Sequence, residues 1–130
     1  SKEGELHCNF DADGFRLPTE AEWELCAKIF SVKQNDVQNV QIQTSPVESE
    51  PKSKISALDG NVWEYCWDWY APYPTERTTD PIGPKNGTYR VIRGGSWVDT
   101  QRIRRPENRA FTLPTQSSET IGFRLVSTIK

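Results

Sequence analysis

The residues best equipped for metal or redox chemistry are three cysteines, Cys8, Cys26 and Cys66, and a single histidine, His7. The thiols are unevenly spaced and form no Cys-x-x-Cys pair, which argues against a zinc site. One disulfide with one free thiol, or three buried thiols, would each fit the count. The charged residues are arranged more tellingly. Glu64 and Asp68 sit on one parity of Gly60-Asn61-Val62-Trp63-Glu64-Tyr65-Cys66-Trp67-Asp68-Trp69-Tyr70. Further on, Asp99, Arg102, Phe111 and Thr112 bring together a carboxylate, a guanidinium, a ring and a hydroxyl, the mixed chemistry of a recognition surface.

The elements that must position these groups follow from periodicity. Trp63, Tyr65, Trp67 and Trp69 fall on one parity, so residues 60–70 read as a strand with an aromatic face turned to the core. Thr19 and Glu22 have the spacing of a capping box, with Pro18 marking the boundary and a helix predicted over 20–30. Trp23, Cys26, Ala27 and Phe30 share one face of it. Leu6, Cys8 and Phe10 alternate as a short strand, as do residues 37–42, within a Gln-, Asn-, Ser- and Pro-rich stretch. Residues 71–87 carry four prolines and read as a surface loop. Residues 89–93 form a strand ended by Gly94-Gly95, and 121–129 a final strand returning beside it. The predicted core comprises Phe15, Leu17, Trp23, Cys26, Ile29, Trp63, Tyr65, Trp67, Val91, Trp97, Phe123 and Leu125. One helix and several strands separated by long loops define an α+β domain. Gly14-Phe15-Arg16-Leu17 is echoed by Gly122-Phe123-Arg124-Leu125, and an arginine paired with a carboxylate such as Glu22 or Asp68 would explain each copy.

With 130 residues the chain has the length of one domain. Residues 1–87 hold 8 basic and 15 acidic side chains, and residues 88–130 hold 8 and 3. That division favours ion pairing within the molecule; with no lysine-rich run or nucleic-acid motif, no nucleic-acid partner is expected. No apolar run reaches membrane-spanning length. Methionine is absent and Ser1 follows no leader, so the chain reads as a processed or excised piece.

Gly14 to Glu24, Gly60 to Tyr70, Arg90-Val91-Ile92-Arg93-Gly94-Gly95-Ser96-Trp97 and Ile121 to Val126 together resemble the formylglycine-generating enzyme, or sulfatase-modifying factor, family. The resemblance implies a C-type-lectin-like fold with one main helix, short strands and long loops. It also implies that the family's N-terminal portion is lacking, so that residues 1–130 form a single partial or minimal domain. An oligomer or a second segment would then complete the fold. The resemblance alone implies an extracytoplasmic or cell-surface location.

Oxidase members of the family hold copper with two cysteines shortly after Gly-Gly-Ser. In ungapped register those positions are Asp99 and Arg104, which supply no thiolate, so no catalytic metal is expected. Iron-dependent relatives draw their histidines largely from another domain, and this chain has only His7. The family's structural calcium implies Gly60, Val62 and Glu64 as ligands, although the family's further side-chain ligand falls on Ala57 and Asp59 is displaced. The competing reading is a salt bridge from Glu64 to a core arginine.

One branch of the family, proteins diversified by retroelements, varies the segment between Gly-Gly-Ser-Trp and the final Gly-Phe-Arg-Leu. The spacing here resembles theirs, so the binding residues expected are Trp97, Val98, Asp99, Thr100, Arg102, Ile103, Ala110, Phe111, Thr112 and Leu113. The expectation is a non-catalytic module binding a protein or another extracellular ligand. The alternative is an enzyme fragment that needs another segment for its metal.

Overall fold

Thr19 and Glu22 start the helix reciprocally. The Thr19 N–H donates to Glu22 Oε2 at 2.8 Å, and the Glu22 N–H donates to Thr19 Oγ1 at 3.2 Å. These bonds satisfy amides that a first helical turn leaves without partners. In the computed structural model, which describes residues 7–30, 43–44, 55 and 57–128, helix α1 accordingly spans Glu20–Phe30. Trp23 and Ala27 are buried and Phe30 packs beside them, whereas Ile29, expected in the core, lies on the outer face with 62% of its surface exposed.

Around α1 the strands are β1 (Phe15–Arg16), β2 (Trp63–Trp69), β3 (Arg90–Arg93), β4 (Arg109–Thr112), β5 (Ile121–Gly122) and β6 (Val126–Ser127). The main sheet has the order β4-β3-β2-β5, with β5 parallel to β2 and the other pairs antiparallel. β1 and β6 pair separately. The expected final strand is thus two short pieces. It does not return beside β3; β4 takes that place, and β5 lies on the far side of β2. His7 to Phe10 form no strand, and residues 37–42 lie outside the described residues.

The parity of β2 is the main correction. Glu64, Cys66 and Asp68 are its buried residues, and Trp63, Tyr65, Trp67 and Trp69 are half-buried. Side chains alternate across a strand, so one face meets α1 and the other meets loops. Arg90 donates to the Trp67 carbonyl and stacks 3.7 Å over the Trp69 ring, while Phe10 lies edge-on to Trp67. The core proper is small: Trp23, Ala27, Leu58, Cys66 and Val91, joined by Phe30 and Ile55. Phe15, Phe123 and Leu125, also expected inside, are exposed, because in both Gly-Phe-Arg-Leu copies it is the arginine that turns inward. Arg16 binds Glu22 through two bonds of 2.7 Å, and Arg124 binds Glu64 rather than Asp68.

The buried carboxylates between helix and sheet each have a donor, an arginine for Glu20 and Glu64 and a backbone amide for Asp68. Glu20, at the start of α1, accepts from Arg93 at 3.0 Å and from Arg109 at 2.6 and 2.8 Å. Asp68 accepts from the Glu20 N–H at 2.7 Å, and so caps the helix from the sheet. All three cysteines are free thiols, and burial together with Asp68 pushes the Cys66 thiol up.

Candidate functional site

Two loops at one end of the sheet are stitched together. The Gly60 N–H donates to the Gly94 carbonyl at 2.8 Å, and the Trp97 N–H donates to the Asn61 carbonyl at 2.9 Å. Gly95 adopts φ +72°, and a Cβ there would come within 3.0 Å of the Arg104 backbone, so the turn requires glycine on both counts.

Asp99 and Arg104, the positions where the resemblance places the oxidases' cysteines, are structural here. Asp99 Oδ2 accepts from the Ser96 N–H at 2.8 Å, the Ser96 hydroxyl at 2.6 Å and Trp63 Nε1 at 2.9 Å. Arg104 donates to the Ser96 carbonyl and, at the same 3.0 Å, to the Trp97 carbonyl. One residue caps the turn from inside its first step, and the other clamps its carbonyls from behind.

Between this turn and β4 lies an open cleft of about 530 Å³, walled by Trp63, Asp99, Arg102, Ile103, Arg105 and Ala110. Arg109 reaches its rim but is committed elsewhere: Glu20 binds it, and its guanidinium lies 3.9 Å over the Tyr73 ring. Asn108 holds the floor through its side-chain amide, which donates to the Arg102 and Ile103 carbonyls. Of the expected binding residues, Asp99, Arg102, Ile103 and Ala110 therefore come together. Val98 and Thr100 are exposed on the same turn, and Trp97 is half-buried behind it. Phe111 is not among them. Alternation along β4 turns it away from Ala110, and it stacks on Tyr70 and Tyr89 with centroids 4.6 and 5.0 Å apart. Thr112 is half-buried beyond the cleft, and Leu113 is exposed, with its carbonyl held by the Tyr65 hydroxyl at 2.8 Å.

Trp63, Arg105, Asn108 and Arg109 were not expected in the site. Trp63 was assigned to the core by its parity, and no spacing rule flags the others.

At the expected calcium position, Glu64 is fully engaged. Arg124 donates to both carboxylate oxygens at 2.6 Å, Trp23 Nε1 donates to Oε2 at 2.7 Å, and Arg124 also reaches the Ala57 carbonyl at 3.2 Å. Calcium needs six to eight oxygens, several of them anionic. Here the carboxylate and the Ala57 carbonyl already surround a guanidinium, whose charge would repel a divalent ion on the same oxygens. Of the expected calcium ligands Gly60, Val62 and Glu64, the one side chain, Glu64, thus holds Arg124, as the competing salt-bridge reading has it. Among the described residues no cluster of three or more His, Cys, Asp or Glu side chains is arranged for a metal, and no helix is long and apolar enough to cross a membrane.

Residues 1–129 match the family model of the sulfatase-modifying factor enzyme 1-like domain. The chain is 35% identical over 136 residues to the serine/threonine-protein kinase Pkn1 of Chlamydia trachomatis, covering 90% of this chain and 22% of that protein. It is 34% identical over 144 residues to the formylglycine-generating enzyme of Streptomyces coelicolor, covering 85% and 46%. Among solved structures, Treponema denticola variable protein 1 superposes with a TM-score of 0.76 at 32% identity, over 90% of this chain and 49% of that one. The chain thus spans less than half the length of each.

Proposed function

This chain belongs to the sulfatase-modifying factor enzyme 1-like domain family, with its C-type-lectin-like α+β fold, and from that premise we propose that it is a non-catalytic binding module. Its binding surface is the cleft and loops between Trp97 and Ile121, and its ligand is a protein or another molecule met outside the cytoplasm. The observation that carries this reading is the fate of the two cysteine positions. Asp99 and Arg104 hold the turn together through five hydrogen bonds, so the family's redox centre is replaced by the frame of a cleft. Loops fixed at both ends on a rigid scaffold are a usual place for recognition residues. The superposition on a protein named for its variability supports the same reading. On this view Arg124 stands where relatives hold calcium, as a built-in cation.

A second reading, an enzyme fragment, is favoured by one fact: the chain covers 46% of the Streptomyces coelicolor enzyme, so another segment could supply a metal. Incubation of the purified chain with copper and a sulfatase-derived peptide tests whether the chain oxidises peptide thiols on its own. No aldehyde should form, and turnover above a no-protein control would sink the non-catalytic reading.

A further inference from the structure

We infer that the cleft beside Trp63 takes an acidic peptide segment, a carboxylate seated between Arg102 and Arg105 with an apolar neighbour against Trp63, Ile103 and Ala110. This rests on the reading of the cleft as the binding surface and adds the chemistry of its ligand.

The charge of the cleft is not what its residue list suggests. Three arginines and one aspartate reach it, but one of the arginines is already answered by a carboxylate. Arg109 is neutralised by Glu20 through two bonds. All three hydrogen bonds to Asp99 gather on Oδ2, from Trp63 and Ser96, and none of them comes from an arginine. Arg102 and Arg105 are left over. Both are exposed, and among the described residues neither pairs with a carboxylate. Their backbone is nonetheless held, since Asn108 ties down the carbonyls of residues 102 and 103 and Arg104 between them is clamped to the turn. Two guanidiniums on a held backbone match a carboxylate in a planar, two-bond geometry.

The rest of the wall selects the kind of anion. A volume of about 530 Å³ holds more than one side chain and is in the range of small-ligand pockets. Trp63, Ile103 and Ala110 offer apolar surface beside the guanidiniums. Asp99 in the wall disfavours a second negative charge at close range. A phosphate dianion is therefore a poorer fit than a carboxylate, and a nucleic acid is poorer still, because the chain carries a net charge of −2 and no basic stripe.

Three fluorescein-labelled peptides test this: alternating Glu and Leu, alternating Gln and Leu, and alternating phosphoserine and Leu. Anisotropy gives affinity, and NMR of arginine Nε–H, Trp63 Nε1–H and Ala110 amide signals gives the place. The Glu-Leu peptide should bind at least tenfold more tightly than the other two and move all of these signals. The Arg102→Gln/Arg105→Gln variant, altered only at exposed side chains, should lose that preference. Equal binding of the Gln-Leu peptide, or tighter binding of the phosphopeptide, with Trp63 and Ala110 still moving, would overturn the carboxylate inference and leave the cleft as binding surface. Binding of the Glu-Leu peptide that moves signals elsewhere and ignores the double variant would overturn both. No binding by any of the three overturns the inference.

Discussion

Arg124 grips Glu64 through both carboxylate oxygens at 2.6 Å, across sixty residues of chain. The pair is mostly buried, with 8% of the Glu64 side chain and 22% of the Arg124 side chain exposed. It lies at the position where relatives of this chain are expected to hold calcium. Removing one partner of a buried pair leaves an uncompensated charge, which typically destabilises by about 3–5 kcal/mol. Arg124→Gln should therefore lower stability by about 3 kcal/mol in urea unfolding. The native chain should unfold at the same temperature in EDTA and in millimolar calcium. A rise in Tm with calcium would show that the ion, and not Arg124, completes the site.

Asp99 makes a sharper stability prediction. The sequence suggests an exposed recognition group whose removal changes little. Its Oδ2 instead answers the amide and hydroxyl of the fully buried Ser96 and the Trp63 indole. Asp99→Ala leaves these donors without an acceptor and should cost about 2 kcal/mol. Arg102→Ala, three residues further along and exposed, should stay within about 0.5 kcal/mol. Equal effects of the two substitutions in chemical denaturation would contradict this division.

How much of this was legible depended on how local each cause was. The Thr19 and Glu22 box lies within one turn, so the helix bounds could be read directly. The surface loop of residues 71–87 could be read from its prolines for the same reason. The alternation of β2 was equally visible, but a parity signal cannot say which face a helix covers and which face loops cover. Burial of Glu64 was weighed only as a competing reading, and its partner Arg124 lies sixty residues on. The neighbours of β5 and the turn of Phe111 away from Ala110 depend on pairings that no short window contains. At the cleft, Asp99 and Arg102 stood out by their chemistry. Trp63 was hidden by its resemblance to a core residue.

Asp68 sets a pH dependence. Burial raises its carboxyl to about 6, against the opposing pull of the Glu20 N–H. A carboxyl whose folded pKa is raised favours the fold when protonated. Its contribution is full below about 3.8 and is lost as pH rises through about 6. Glu22 and Glu24 act in the opposite sense. Arg16 holds Glu22 below its ordinary 4.5, and Lys28 and Arg93 outweigh burial at Glu24, so their contribution is lost as pH falls below that value. Stability should peak near pH 4.5, where the glutamate contributions are nearly complete, and fall as pH rises towards 6 and the Asp68 contribution is lost. Asp68→Asn keeps an acceptor for the Glu20 amide without the charge, and should gain on the order of 2–3 kcal/mol relative to the native chain at pH 8. An unchanged pH profile in the variant would remove Asp68 as the cause.

Glu20 joins the helix, β3, β4 and the 71–73 loop. It accepts from Arg93 and Arg109, and from the Tyr73 hydroxyl at 3.1 Å, while Arg109 donates to the Ala71 carbonyl at 2.9 Å. Arg93 is fully buried and leans on Glu24 and the Pro106 carbonyl as well, so it retains partners when Glu20 is changed. Arg109 does not retain a second carboxylate among the described residues. The energy of this junction should therefore reside mainly in the Glu20–Arg109 contact. A double-mutant cycle with Glu20→Gln and Arg109→Met should give a coupling of about 1–3 kcal/mol, in the range found for residues of one charged network. The corresponding cycle between Glu24→Gln and Arg109→Met should give about zero, because Glu24 pairs with Arg93 and Lys28 and Arg109 with Glu20. Arg109→Met should also change the environment of the Tyr73 ring, whose face the guanidinium now covers at 3.9 Å. Additive effects of the Glu20 and Arg109 substitutions would mean that the helix start and β4 are stabilised independently.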